Sequence, residues 1–113
     1  MTYKDYEEEK ILNYIKRWHR GVSGATTYKE LSEKLKINSR ELRNAVAHLV
    51  TEGALIGASQ EGYFYITNTE EYNLARAEII SRIDKLRQRL EGLERGWEEQ
   101  QTPQKTLFEL EMI

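Results

Sequence analysis

Two short amphipathic segments joined by a tight connection lie between Thr27 and Gly53, and they constrain the fold most strongly. Thr27 and Glu30 have the spacing of a capping box, which predicts that a helix opens at Thr27. Ile37-Asn38 forms the connection, and Ser39 is a suitable cap for the next helix. That helix is expected to stop at Gly53, because glycine commonly follows a helix C-terminus.

The residues before this region predict another helix over residues 3–19. The apolar residues that recur there at helical spacing are Ile11, Leu12, Ile15 and Trp18. Residues 20–24 contain two glycines and predict a loop. Ala25 and Thr26 could form a very short strand.

The residues after Gly53 predict a β-hairpin. Its strands are expected at residues 54–59 and 63–67, with the turn at 60–62. Aromatic and β-branched side chains are dense in the second strand, which favours extended structure. By alternation, Phe64 and Ile66 share one face, and Tyr63 and Tyr65 share the other.

A long final helix is predicted from residue 69 to about residue 100. Either Thr67 with Glu70 or Asn68 with Glu71 has the spacing of a capping pair, and a proline stands just beyond the end at position 103. The predicted organisation is therefore mainly α with a small β-hairpin. It consists of a domain over residues 1–68, an amphipathic helix over 69–100 and a flexible tail over 101–113.

The composition favours a small binding module over an enzyme. The 113 residues are 39% hydrophobic and 32% charged, which suits one compact domain without a deep cavity. The absence of cysteine excludes disulfides and thiolate metal sites. The first ten residues are too polar for a signal peptide, and no apolar stretch is long enough to span a bilayer. We therefore expect a soluble protein of the cytoplasm.

The charge is unevenly distributed along the chain. The formal net charge is -2, but residues 20–51 hold six Lys or Arg residues against three Glu, a local charge of +3. Binding to nucleic acid depends on this local field rather than on the total charge.

The order of predicted elements over residues 3–67 resembles the winged helix-turn-helix family. The best local match runs from Thr27 to Gly53 and continues through Ala54-Leu55-Ile56 and Gly62-Tyr63-Phe64-Tyr65-Ile66. The resemblance implies that the third helix lies in the major groove of DNA and that the hairpin wing touches the backbone or minor groove. The whole chain is also similar to small helix-turn-helix proteins of bacteriophages and prophages, which often add a charged C-terminal helix. This resemblance implies the host-cell cytoplasm as the location if a phage encodes the protein.

The third predicted helix carries residues suited to reading DNA. Its inward stripe is predicted to be Leu42, Ala45, Val46 and Leu49. Arginine can bind guanine bidentately, asparagine can bind adenine, and a small residue permits close approach. The predicted DNA-binding residues on the opposite face are Arg40, Arg43, Asn44, Ala47, His48 and Thr51.

An ordinary solvated surface would show the same side chains, and many winged helices bind proteins instead of DNA. The tip of the predicted wing departs from the DNA-binding pattern, because it offers Gln60 and Glu61 and no lysine or arginine. A carboxylate at that position would repel phosphate.

The long helix carries one stripe of apolar residues at heptad spacing, here called the seam, which must be shielded from water. Its residues are Ile79, Ile83, Leu86, Leu90, Leu93 and Trp97. Two interpretations remain open: a coiled-coil homodimer, or packing within the chain against Ile11, Ile15 and Trp18. A parallel pair would place Arg82 against Arg87, which repels, and Arg89 against Glu94, which attracts. The flanking charges therefore do not favour a parallel dimer over an antiparallel one.

The tail resembles the short motif by which proteins bind the bacterial replication sliding clamp. The residues that match are Gln104, Leu107 and Phe108, whereas Lys105 stands where that motif usually has leucine. The alternative is that Leu107, Phe108, Leu110 and Ile113 form a last apolar turn that folds back on the domain.

No catalytic, metal-binding or cofactor-binding pattern is evident, since His19 and His48 are isolated and no glycine-rich phosphate loop occurs. We therefore expect a non-enzymatic, dimeric DNA-binding protein, without a cofactor or metal, that acts in transcription or replication of a phage or mobile element. The alternative is an adaptor or inhibitor that binds a replication protein such as the sliding clamp. Neither interpretation involves a membrane.

Overall fold

A computed structural model describes the backbone of residues 3–101 and the side chains of residues 7–101. The described chain is mainly α-helical, with one two-stranded antiparallel hairpin and a long C-terminal helix. This layout is compatible with a winged helix-turn-helix. Its elements in chain order are α1 (Tyr3–Trp18), a 3₁₀ turn (Val22–Gly24), α2 (Tyr28–Leu35), α3 (Ser39–Thr51), β1 (Ile56–Ser59), β2 (Gly62–Tyr65) and α4 (Thr69–Gln101).

The start of α2 follows the predicted capping pattern in part. Thr27 is the N-cap, and its hydroxyl accepts a hydrogen bond from the Glu30 N–H at 3.2 Å. The Glu30 carboxylate instead accepts a hydrogen bond from the Thr26 hydroxyl at 3.3 Å. The capping box is therefore only half formed at this end of the helix.

The bounds of α3 are set by Asn38 and Gly53. The Asn38 side chain accepts from the Arg40 N–H at 2.8 Å, so the prediction that Ser39 caps this helix is wrong. An asparagine amide oxygen satisfies the same unpaired N–H groups as a serine hydroxyl. Gly53 has a φ of +102° and donates its N–H to the Val50 carbonyl, and the Ala54 N–H is bonded to the Leu49 carbonyl. This Schellman arrangement confirms the predicted glycine stop.

The core is formed by α1, α2, α3 and the first strand of the hairpin. Its buried members are Ile11, Ile15, Leu31, Leu35, Leu42, Ala45, Val46, Leu49 and Ile56. Trp18 shares the helical spacing of the apolar residues of α1 but is not part of this core, since 61% of its surface is exposed. It is the last residue of that helix.

The hairpin is shorter than predicted and packs on both faces. Ile56 pairs with Tyr65, and Ser59 pairs with Gly62, around a turn at Gln60 and Glu61. Phe64 is fully buried on one face, while Tyr63 and Tyr65 pack against the core on the other. The strand expected at residues 25–26 is reduced to a single bridge between Thr26 and Tyr63.

The long helix begins at Thr69 in the structure. The Asn68 side chain accepts from the Glu71 N–H at 2.8 Å, which is one of the two predicted capping pairs. The described residues divide into two units, one ending at Glu78 and one beginning at Ile79. Glu71 and Ala75 at the start of α4 are buried and belong to the first unit. Among the described residues, no helix is long and apolar enough to cross a membrane.

Candidate nucleic-acid interface

The predicted DNA-binding residues all lie on the exposed face of α3. The buried stripe of this helix consists of Leu42, Ala45, Val46 and Leu49, as the spacing predicts. The helical phase is therefore the predicted one. The exposed residues that it brings together are Arg40, Arg43, Asn44, Ala47, His48 and Thr51.

Arg43 lies against an aromatic ring from the neighbouring helix. Its guanidinium carbon is 5.0 Å from the ring centre of Tyr28, the first residue of α2. A cation over the face of a tyrosine is attracted by the negative charge of the ring face. Arg43 is therefore positioned by α2, which reduces its side-chain freedom while it stays exposed.

His48 and Thr51 use their polar atoms within the protein. His48 Nδ1 lies 2.8 Å from Glu8 Oε2, and His48 Nε2 lies 3.3 Å from Glu52 Oε1. The Thr51 hydroxyl donates to the Ala47 carbonyl at 2.9 Å. Both residues are exposed, but their hydrogen bonds are already directed to protein atoms. Arg40, Arg43 and Asn44 thus carry the main polar groups available to a ligand on this face.

A second group of cations lies at the base of the hairpin, and the sequence analysis did not find it. Lys16 Nζ is 5.7 Å and the Arg20 guanidinium carbon 5.3 Å from the ring centre of Tyr65. The Tyr65 N–H donates to the His19 carbonyl at 2.7 Å, which joins β2 to the end of α1. The only sequence signal was the i,i+4 spacing of the two basic residues, which does not identify the tyrosine.

Glu71 fixes the loop after α1 to the start of α4. Its carboxylate accepts hydrogen bonds from the Thr67 N–H at 2.8 Å, the Thr67 hydroxyl at 2.7 Å and the Val22 N–H at 2.8 Å. Hydrogen bonds from the Thr67 and Val22 backbone, and then from the Thr67 hydroxyl, lower the pKa of this carboxyl below its ordinary value. Its role is structural, because every one of these bonds lies within the chain.

The remaining predicted sites lie elsewhere. The seam residues of α4 have exposed fractions from 49% at Ile79 to 72% at Leu93. The clamp-like residues Gln104, Leu107 and Phe108 lie outside the described residues. Within residues 7–101, no group of three acidic or histidine side chains is placed to hold a metal ion.

The sequence matches no protein-family model and no curated protein.

Proposed function

We propose that this protein binds double-stranded DNA as a winged helix-turn-helix protein and acts in transcription or replication control. The observation that carries the proposal is the exposed face of α3, where Arg40, Arg43 and Asn44 stand opposite a fully apolar buried stripe. In this proposal α3 enters the major groove, and the hairpin approaches the DNA backbone.

The chemistry of this face supports base recognition. An arginine can donate two hydrogen bonds to guanine, and an asparagine can pair with the edge of adenine. Ala47, exposed on the same face, has no side chain long enough to hold the helix away from the bases. The contact of Arg43 with Tyr28 also favours recognition, because a positioned side chain loses less entropy on binding.

The distribution of cations supports backbone contact. The exposed Glu61 at the tip of the hairpin opposes phosphate binding there. Lys16 and Arg20 at the hairpin base supply the positive charge that the tip lacks. We therefore propose that the base of the wing, rather than its tip, approaches the phosphate backbone.

The proposal is tested by measuring duplex DNA affinity across a salt series. Each neutralised phosphate should contribute a slope of about -0.9 to the plot of log affinity against log salt. The double variant Arg43→Ala/Asn44→Ala should lose sequence preference, since each bidentate base contact contributes about 1–3 kcal/mol of discrimination. The matched control Arg95→Ala/Gln100→Ala removes one arginine and one amide from α4 and should keep that preference. Absence of DNA binding at low salt would refute the proposal.

The same proposal includes self-association through the α4 seam. Six large apolar side chains recur there at heptad spacing, and each is about half exposed or more. A second copy of the chain would cover them, because identical helices present identical seams. Ile83→Asp/Leu90→Asp should convert a dimer into a monomer in sedimentation equilibrium. A wild-type monomer at high concentration would refute this part.

A second candidate function rests on the tail motif Gln104, Leu107 and Phe108, whose spacing resembles that of bacterial sliding-clamp ligands. In this adaptor proposal the two apolar side chains enter a pocket on the clamp, each contributing roughly 1.5–3 kcal/mol before ordering costs. The test titrates a peptide of residues 101–113 against a bacterial clamp, beside the same peptide carrying Leu107→Ala/Phe108→Ala. Equal binding by both peptides, or none by either, would exclude it.

A further inference from the structure

We infer that α4 pairs with α4 of a second copy in the antiparallel direction, with the pair centred near residue 88. This inference rests on the proposed self-association and specifies its geometry. Three features of residues 79–101 support it: the segregation of charge along the helix, the symmetry of the apolar seam and an ion pair near the centre.

Charge is divided between the two halves of this part of α4. Residues 79–90 contain four basic residues and one acidic residue, a charge of +3. Residues 91–101 contain four acidic residues and one basic residue, a charge of -3. An antiparallel pair sets each basic half beside the acidic half of the second copy. A parallel pair instead sets the two basic halves side by side and the two acidic halves side by side, although Arg89 then faces Glu94.

The apolar seam has the symmetry that an antiparallel pair requires. If residue numbers on opposing helices sum to the same value across every layer, Ile79 faces Trp97, Ile83 faces Leu93, and Leu86 faces Leu90. All six seam residues then have an apolar partner, and no layer is left open. The large Trp97 ring lies opposite an isoleucine, whereas a parallel pair would place it against a second tryptophan.

Like charges approach at the centre of the pair, because Arg87 and Arg89 of both copies lie near the symmetry axis. The structure provides a local counter-charge for Arg87. Its Nη2 donates to Asp84 Oδ1 in the same helix at 3.0 Å. This i,i+3 pair offsets the repulsion between the two Arg87 guanidinium groups. In this arrangement the two copies of Glu78 lie at opposite ends of the helix pair.

Site-directed crosslinking distinguishes the two directions, because the chain has no cysteine of its own. In the antiparallel pair, position 83 lies beside position 93 of the second copy. The two copies of position 83 are then separated by about 15 Å along the axis. A mixture of Ile83→Cys and Leu93→Cys proteins should therefore form a covalent heterodimer with a bismaleimide too short to span that distance. Neither variant should crosslink to itself. Gln88→Cys, on the outward side of the seam, is the background control.

A charge reversal gives a second test, in which the two directions predict opposite signs. Arg82→Glu should raise the dimer dissociation constant several-fold in the antiparallel pair, because residue 82 lies beside the acidic half of the second copy. In a parallel pair it would face Arg87 and should tighten the dimer instead.

Self-crosslinking at position 83 or 93, a tighter Arg82→Glu dimer, or a wild-type dimer in which the mixture fails to crosslink would each overturn the antiparallel arrangement. A wild-type monomer would overturn it together with the proposed self-association. DNA affinity is measured separately on the α3 variants, so none of these outcomes is confused with failure of the DNA-binding proposal.

Discussion

His48 Nδ1, on the exposed edge of α3, lies 2.8 Å from Oε2 of Glu8, a buried residue of α1. A carboxylate only accepts hydrogen bonds, so the imidazole donates through Nδ1. The contact joins the helix proposed to read DNA to the helix beneath it. His48 therefore helps to hold α3 in place, in addition to lying on the face where the sequence predicts DNA contact.

We predict that His48 and Glu8 are energetically coupled. A double-mutant cycle of His48→Ala and Glu8→Ala should give a coupling of about 0.5–1.5 kcal/mol in the free energy of unfolding, measured by urea denaturation. Glu52→Ala is the matched control, because its exposed i,i+4 contact with His48 should contribute no more than about 0.5 kcal/mol. Additive effects of the first two changes would show that the pair makes no net contribution.

We predict that Tyr28 affects DNA affinity through Arg43. Tyr28→Leu should weaken binding about two- to fivefold, because an exposed cation–π contact is worth roughly 0.5–1 kcal/mol. Tyr28→Phe keeps the ring and should bind nearly as well as the wild type. In an Arg43→Ala background, Tyr28→Leu should have little further effect. Equal loss in both backgrounds would mean that the tyrosine acts independently of the arginine.

We predict that Glu71 makes the stability of the first unit depend on pH in the acidic range. The folded-state pKa of Glu71 lies below its ordinary value of 4.5, so the unfolded chain binds the proton more readily than the folded one. The stabilisation is therefore fully present above that ordinary value and is lost as the pH falls through the folded pKa.

Glu71→Gln tests this prediction, because an amide can accept some of the same hydrogen bonds but does not titrate. Its melting temperature should lie below that of the wild type at pH 7, and the two should converge as the pH falls below 4.5. Glu70→Gln, an exposed neighbour in the same turn, is the control and should leave the pH profile unchanged. A constant difference between wild type and Glu71→Gln at every pH would contradict the assigned pKa shift.

We predict that Gly57→Ala is strongly destabilising. A Cβ at this position would lie 2.5 Å from Phe64 Cζ, and that ring is fully buried and cannot move aside easily. Overpacking of this kind typically costs about 1–3 kcal/mol. At Gly53 an added Cβ has open space, and the unfavourable φ is the source of strain. Gly53→Ala should therefore lower the stability of the fold by less than Gly57→Ala. Thermal unfolding of both variants gives the comparison, and a smaller loss at Gly57 would be inconsistent with the packing described.

Much of the local structure could be predicted from the sequence. The i, i+3, i+4, i+7 spacing in α3 predicted its buried stripe, and Gly53 predicted its end. Caps were less certain, because Asn38 and Ser39 are both good capping residues and lie side by side. The candidate DNA-binding face followed from the same periodicity, since it is the side of α3 opposite the stripe.

Only the tertiary structure decided which side chains on that face have partners and which remain available. His48 meets a residue 40 positions away, and Val22 meets Glu71 across 49 positions. In the same way, the cations that lie beside the Tyr28 and Tyr65 rings come from other parts of the chain. The helix phase and the glycine stop are set by hydrogen bonds and sterics within a few residues, so the sequence by itself determined them. Contacts between elements depend on how the helices and hairpin pack around the core, because burial and close approach arise only when distant segments meet.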